Sequence, residues 1–307
     1  MRIFNQTGTK NNRYKMPVKV INNSDGIRFT KMHGIGNDYI YINCLGNIPS
    51  DLPALAVEMS DRHFGVGGDG IVLICPSDKA DFKMRMFNND GSEARMCGNA
   101  SRCIARYLHD NHLTTKNVIN LETLSGIKVL SLNLTSDDEV ESVTVDMGEP
   151  MLSPAEIPVD YPGEAMVEQI VRTSHGDVRV TAVSMGNPHG VIFVDRLEDV
   201  PFDTLGPELE RHPIWPDRAN IEFVEVVSPT EVRMRVWERG TGETLACGTG
   251  ACATAVAASL TGRTGRDITV HLRGGDLNVR WGDDNHVYMT GGATKVFDGV
   301  YIRNSKE

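Results

Sequence analysis

The stretch "CGTGACATAVAASL" (residues 247–260) places a cysteine and two glycines where an alanine-rich run begins, directly after alternating apolar and polar residues. Alternation marks a strand, and a run apolar over most of its circumference marks a helix buried on all sides. The junction therefore reads as a strand–turn–helix corner. A second stretch, "CGNASRCIARYL" (97–108), has the same form. Sliding the sequence on itself by 150 residues sets Cys97 on Cys247, Gly98 on Gly248 and Glu93 on Glu243. At that offset "KMRMF" meets "RMRVW", "DGIVLI" meets "ANIEFV", and Gly36-Asn37 falls on Gly186-Asn187. Shared landmarks at one offset identify two copies of one unit, each bearing a cysteine at a helix start.

Outside the corners, short runs rich in β-branched and aromatic residues ("IRFTKM", "DYIYIN", "GIVLIC", "DFKMRMF") are bounded by Gly, Asn and Asp and read as strands. "PALAVEMSDRHF" has helical spacing, and the closing "ATKVFDGVYIRN" reads as a strand pair. Many strands and few helices in each half argue against a regularly alternating, doubly wound sheet. "GEPMLSPAEIP" supplies three prolines between the halves, a domain junction. Residues 1–26 are polar and Asn-rich; a loose extension, a start at Met16 or a targeting peptide are the readings open to them.

With 307 residues the chain is long enough to bury a real core in one or two domains. A formal charge of −10 with no basic stripe argues against a nucleic-acid partner. No apolar run approaches the length, about 18 residues, of a membrane span. The cysteines at 44, 75, 97, 103, 247 and 252 follow no secretory signal, which points to a reducing cytoplasm.

The first N–H groups of a helix lack intrahelical partners and sit at the positive end of its dipole. A glycine after the cysteine lets a ligand approach that backbone, which can hold a carboxylate. The same field is expected to lower the thiol pKa toward neutrality. Two such corners across a cleft could clamp one small carboxylate between two sulfurs, one removing a proton and the other donating one. That arrangement inverts a carbon centre.

Other readings stand beside it. A free cysteine is commonly a small buried hydrophobe, the reading given to Cys44, Cys75, Cys103 and Cys252. The spacings from Cys97 to Cys103 and from Cys247 to Cys252 are not zinc spacings, so no metal is expected. "GVGGDG" (65–70) precedes a strand rather than a helix, so it reads as a turn, not a dinucleotide loop. On the residues alone, His189 is a packed histidine or an acid/base group. Glu238-Arg239 is a solvated pair or part of a site, and Asn37, Asn187 and Asn220 are turn residues or ligand contacts.

Taken together, "KMHGIGNDYI", "RHFGVGGDG", "FNNDGSEARMCGN", "MGNPHG" and "WERGTGETLACGTGA" make residues 28–303 resemble the diaminopimelate epimerases, cofactor-independent amino-acid epimerases. The resemblance implies an α/β fold of the α+β type. Two pseudo-symmetric domains would each wrap a mainly antiparallel sheet round a central helix, with the active site in the cleft between them. They would span 27–149, rejoined by the last strands at about 291–307, and 150–290, after the extension 1–26. It implies that Cys97 and Cys247 are the two bases, and that Gly98, Asn99, Gly248 and Thr249 hold the reacting carboxylate. Asn37 and Glu238 would surround the reacting centre, with His189 and Glu238 supporting proton transfer. Asn88, Asn187, Asn220 and Arg239 would grip the distal end. Some members carry Gln where this chain has Gly70.

The expected activity is inversion of LL-diaminopimelate to the meso form without pyridoxal phosphate or metal, on a small diamino dicarboxylic acid, with a homodimer as the assembly open to it. A same-fold racemase for histidine or proline, and a thiol redox or metal-binding module, are the rival readings.

Overall fold

The computed structural model of the chain describes residues 19–20 and 26–303. The extension expected at 1–26 lies outside the described residues except for Gly26 and Lys19–Val20, which pairs in parallel with Asn47–Ile48.

The first half opens with antiparallel strands Ile27–Gly34 and Asn37–Asn43. Helix α1 (Leu52–Ser60) then carries the chain to Gly70–Cys75, which lies parallel to Asn37–Asn43. Every residue of "GIVLIC" is buried, the pattern of a strand covered on both faces. Phe82–Asn88 returns antiparallel, and the short strand Glu93–Ala94 leads into helix α2 (Gly98–Asp110). Strands Val118–Thr123, Gly126–Leu134 and Val140–Asp146 complete the wrap.

The second half repeats this order. Gly176–Ser184 and Pro188–Val194 precede helix α3 (Phe202–Glu210); Asn220–Ser228, Glu231–Glu238 and Gly242–Glu243 lead into helix α4 (Gly248–Leu260). Asp267–Leu272, Gly275–Trp281 and Val287–Gly291 follow. The repeat extends to register: Ile40 lies opposite Ile71 as Gly190 lies opposite Ile221, and Ile71 opposite Phe87 as Ile221 lies opposite Trp237. The sheet is mixed and mainly antiparallel.

Two local expectations are corrected. The helix expected through "DRHF" stops at Ser60, because the Asp61 carboxylate accepts from the His63 and Phe64 amides at 2.7 and 2.8 Å and turns the chain. The strand pair expected in "ATKVFDGVYIRN" is one strand, Thr294–Tyr301, antiparallel to Ile27–Gly34. Asp298-Gly299 invites a turn, but Thr30 donates to Asp298 at 2.7 Å, and a side chain at Gly299 would meet the Phe29 ring at 2.5 Å. The ladder holds that pair straight.

Helices α2 and α4 lie in one continuous apolar core built from strands of both halves, with smaller clusters beneath α1 and α3. The halves join where Val140–Asp146 pairs antiparallel with Val287–Gly291. Met289, fully buried on that joint, lies under both helix starts: a Cβ at Gly98 would fall 2.6 Å from its Cε, and one at Gly248 3.0 Å from its Sδ. Both helix-start backbones therefore close on the side-chain end of one methionine, which a Cβ at either position would have to displace. Met289→Ala should lower the unfolding free energy by about 2–5 kcal/mol in a single urea transition; two separated transitions, with one half unaffected, would deny Met289 its place in a shared core.

Candidate active site

Both cysteines are helix N-caps. Cys97, with extended backbone, precedes α2 and its sulfur accepts from the Ala100 amide at 3.5 Å. Cys247 precedes α4 in the same way and accepts from the Gly250 amide at 3.4 Å. The sulfur stands where Ser or Asp ordinarily caps, so helix geometry sets its position.

In the first half, the Cys97 thiol donates to Asn37 Oδ1 at 3.4 Å, and Asn99 Nδ2 reaches the same oxygen at 3.3 Å. Asn37 Nδ2 in turn donates to Asp69 at 2.7 Å. Fully buried Arg102 donates to Asn99 Oδ1 at 2.8 Å and to the Gly292 carbonyl at 3.1 Å. In the second half, Thr249 Oγ1 lies 3.6 Å from the Cys247 sulfur and accepts from Asn187 Nδ2 at 3.4 Å. Asn187 Oδ1 faces His189 Nε2 at 3.1 Å, and His189 Nδ1 lies 2.7 Å from Glu222. The corners approach each other: a Cβ at Gly248 would stand 3.8 Å from Asn99 Oδ1.

Glu238, half-buried at its strand end, accepts from Thr244 at 2.5 Å, and its charge acts on both thiols. Asn220 Oδ1 accepts from the Arg239 amide at 2.9 Å, while the exposed Arg239 side chain donates to the Asp217 carbonyl at 3.1 Å. Asn88 is not drawn in by a side-chain contact to another candidate; its amide donates to Ser92 at 3.0 Å. Gly70 lies opposite Asn88, where a Cβ would meet the Phe87 carbonyl at 2.1 Å, so this backbone admits no Gln side chain. Among the described residues, no group of three or more His, Cys, Asp or Glu side chains is arranged to hold a metal ion.

One electrostatic expectation is overturned. Burial raises the Cys97 thiol above its ordinary value despite the helix amides and Arg102. For Cys247 burial, then the Glu238 and Glu222 carboxylates, raise it further still, against Thr249 and the Gly250 amide. Desolvating the thiolate outweighs the end of a helix dipole in a dry site. Glu238 is itself raised, first by burial, with the Thr244 hydrogen bond and His189 opposing.

Several polar groups at the site escaped the sequence reading. Glu222 stands in a run that aligns with wholly apolar "GIVLI", and Arg102 aligns with Cys252, which sits between two alanines; each is a charge where its copy has none, a readable signal. Asp69 sits in a turn aligned with Ala219 and carries no such signal beyond its charge.

The fold is shared with solved structures that include a hydroxyproline epimerase and a PhzF-family protein. A hydroxyproline epimerase from Agrobacterium vitis with bound trans-4-hydroxy-L-proline matches with a TM-score of 0.63 at 16% identity, over 90% of this chain and 92% of its own. A Bacillus anthracis phenazine biosynthesis protein of the PhzF family matches with a TM-score of 0.65 at 16% identity, over 90% and 99%. The sequence narrows the class: the family model for diaminopimelate epimerase matches residues 29–153 and 181–296, and the chain belongs to that family. Diaminopimelate epimerase of Acetivibrio thermocellus is 56% identical over 274 residues, covering 89% of this chain and 98% of its own. That of Methanococcus maripaludis (strain C6) is 50% identical over 274 residues, covering 89% and 99%.

Because the Glu238 carboxylate pushes Cys247 up, Glu238→Gln should move its thiolate titration to lower pH. Ultraviolet thiolate absorbance, compared in Cys97→Ala and Cys97→Ala/Glu238→Gln proteins, checks the sign; an unmoved or raised midpoint would remove Glu238 as a cause.

Proposed function

We propose that this chain inverts the α-carbon of LL-diaminopimelate to give meso-diaminopimelate by a two-cysteine mechanism. The observation that carries the reading is the pair of sulfur-capped helix starts at equivalent positions in a chain of this family. Substrate carboxylate lies at the first amides of α2 and α4, near Gly98, Asn99, Gly248 and Thr249. One cysteine, as thiolate, takes the α-proton; the other, as thiol, delivers its proton to the opposite face of the carbanion. The sulfurs exchange protonation states over one turnover, and the reverse reaction exchanges their roles. Because burial raises both thiols above their ordinary value, the bound substrate and its neighbours assist ionisation of the first sulfur in this reading. Asn37 and Glu238 border the reacting centre, His189 supports proton transfer, and Asn88, Asn187, Asn220 and Arg239 meet the distal end. The reaction in this reading uses no metal or pyridoxal phosphate.

The domains are 27–149 with the returning strand from about 291, and 150–290; the antiparallel joint at Val140–Asp146 would act as their seam. Among the described residues no helix is long and apolar enough to cross a membrane. All six cysteines are free, which fits work in a reducing cytoplasm.

Cys97→Ala and Cys247→Ala should each cut turnover by at least roughly 10²–10⁴-fold, the usual contribution of an acid or base. In deuterated water, early product should carry deuterium at the inverted carbon; near-normal turnover by either variant would end the two-base reading. Arg239, whose exposed side chain donates to a backbone carbonyl, is placed to meet a distal carboxylate. Arg239→Met should weaken diaminopimelate by about ten- to hundredfold, the value of a charged hydrogen bond. Unchanged kinetics, or faster inversion of histidine or proline in a side-by-side assay, would favour another substrate.

A further inference from the structure

We propose that Glu222 is a positioning residue that holds His189 with a hydrogen on each ring nitrogen and thereby aims the Thr249 hydroxyl at Cys247. Its catalytic consequence rests on the two-cysteine reading; its geometry does not. The Glu222 and His189 side chains are wholly buried. Glu222 Oε1 lies 2.7 Å from His189 Nδ1, and Oε2 is buried with no hydrogen-bond partner. A carboxylate at that depth is costly unless a cation matches it, and among the described residues the His189 imidazole is within ion-pairing distance.

On its far side, His189 Nε2 faces Asn187 Oδ1 at 3.1 Å. Both ring nitrogens therefore face oxygen acceptors, and both carry hydrogen. Each donor then sets the next. With Asn187 Oδ1 occupied, its Nδ2 turns to Thr249 Oγ1 at 3.4 Å, which leaves the threonine hydrogen for the Cys247 sulfur at 3.6 Å. The neighbouring ionisable groups are Glu238, which senses both His189 and Glu222, and Cys247, which senses Glu222. The strand on the other side presents Val183.

The repeat shows that this is a device of one half. Tyr39 and Val72 occupy the positions of His189 and Glu222, and Ala100 that of Gly250. A Cβ at Gly250 would stand 2.7 Å from Glu222 Oε1. Where the strand carries valine the helix carries alanine; where it carries glutamate the helix carries glycine.

Glu222→Gln preserves size and removes the charge. Ring-nitrogen NMR of His189 in the full-length, substrate-free protein should show two N–H groups in the wild type and one in Glu222→Gln. Gly250→Ala, which crowds the carboxylate but leaves it in place chemically, should also reduce the two-hydrogen form. With diaminopimelate, Glu222→Gln should lower kcat roughly ten- to hundredfold with KM within about twofold, as expected for misaimed groups in a folded site. A single ring N–H in the wild type overturns the proposal, whatever the activity, and needs no variant to fold. Two N–H groups retained in Glu222→Gln, or an unchanged kcat, overturn it equally. Absence of diaminopimelate turnover by the wild type, with the ring behaving as described, would instead remove the functional reading and leave the positioning role standing.

Discussion

The amide-to-sulfur hydrogen bond at each helix start is the constraint on which the rest of the molecule turns. A buried helix must satisfy its first N–H groups, and here a cysteine at the N-cap position does so at both α2 and α4. Capping places each sulfur beside the remaining amides of the same turn, where a carboxylate can bind. The sheets surrounding the helices, the joint between Val140–Asp146 and Val287–Gly291, and the glycines closing on Met289 bring the two caps into one core. The atom proposed to react is thus the one that caps.

The two caps sit in scaffolds alike to the register of the ladder, yet their surroundings differ. Cys97 has Arg102 beneath it and gives its hydrogen to Asn37. Cys247 has Glu238 and Glu222 nearby and a threonine hydroxyl at its sulfur. The differences fall on equivalent positions: Asn99 against Thr249, Asn88 against Glu238, Gly70 against Asn220, Arg102 against Cys252. A duplicated backbone supplies the symmetric frame that the proposed approach to a carbon from both faces needs. Divergent side chains make the surroundings of the two sulfurs chemically distinct. Burial strengthens this contrast, since charges in a dry site act with little screening.

Much of this was legible before the structure. The offset of 150 residues exposed the duplication, because strand pairing and helix starts demand the same residue types in each copy. The two corners located both sulfurs. Local turns were less legible: "DRHF" keeps helical spacing, but the Asp61 carboxylate captures two amides and stops the helix. "VFDGV" looks like a hairpin, but pairing with Ile27–Gly34 outcompetes the turn. In both cases a specific hydrogen-bond partner overrode a local preference that the pattern reported faithfully.

What the sequence by itself determined is the repeat, the strand–turn–helix corners, and the family to which those corners belong; these are properties of order and spacing along the chain. Only the tertiary structure decided the direction in which the two thiols shift. A helix terminus in isolation favours thiolate, but the depth at which both caps lie, and the Glu238 and Glu222 charges that folding brings to Cys247, reverse the direction. It also decided what the corner glycines face. Gly98 and Gly248 admit Met289, and Gly250 admits the carboxylate of Glu222, a contact between residues 28 positions apart in the sequence. Desolvation and close approach depend on what lies across the core, which no local pattern encodes.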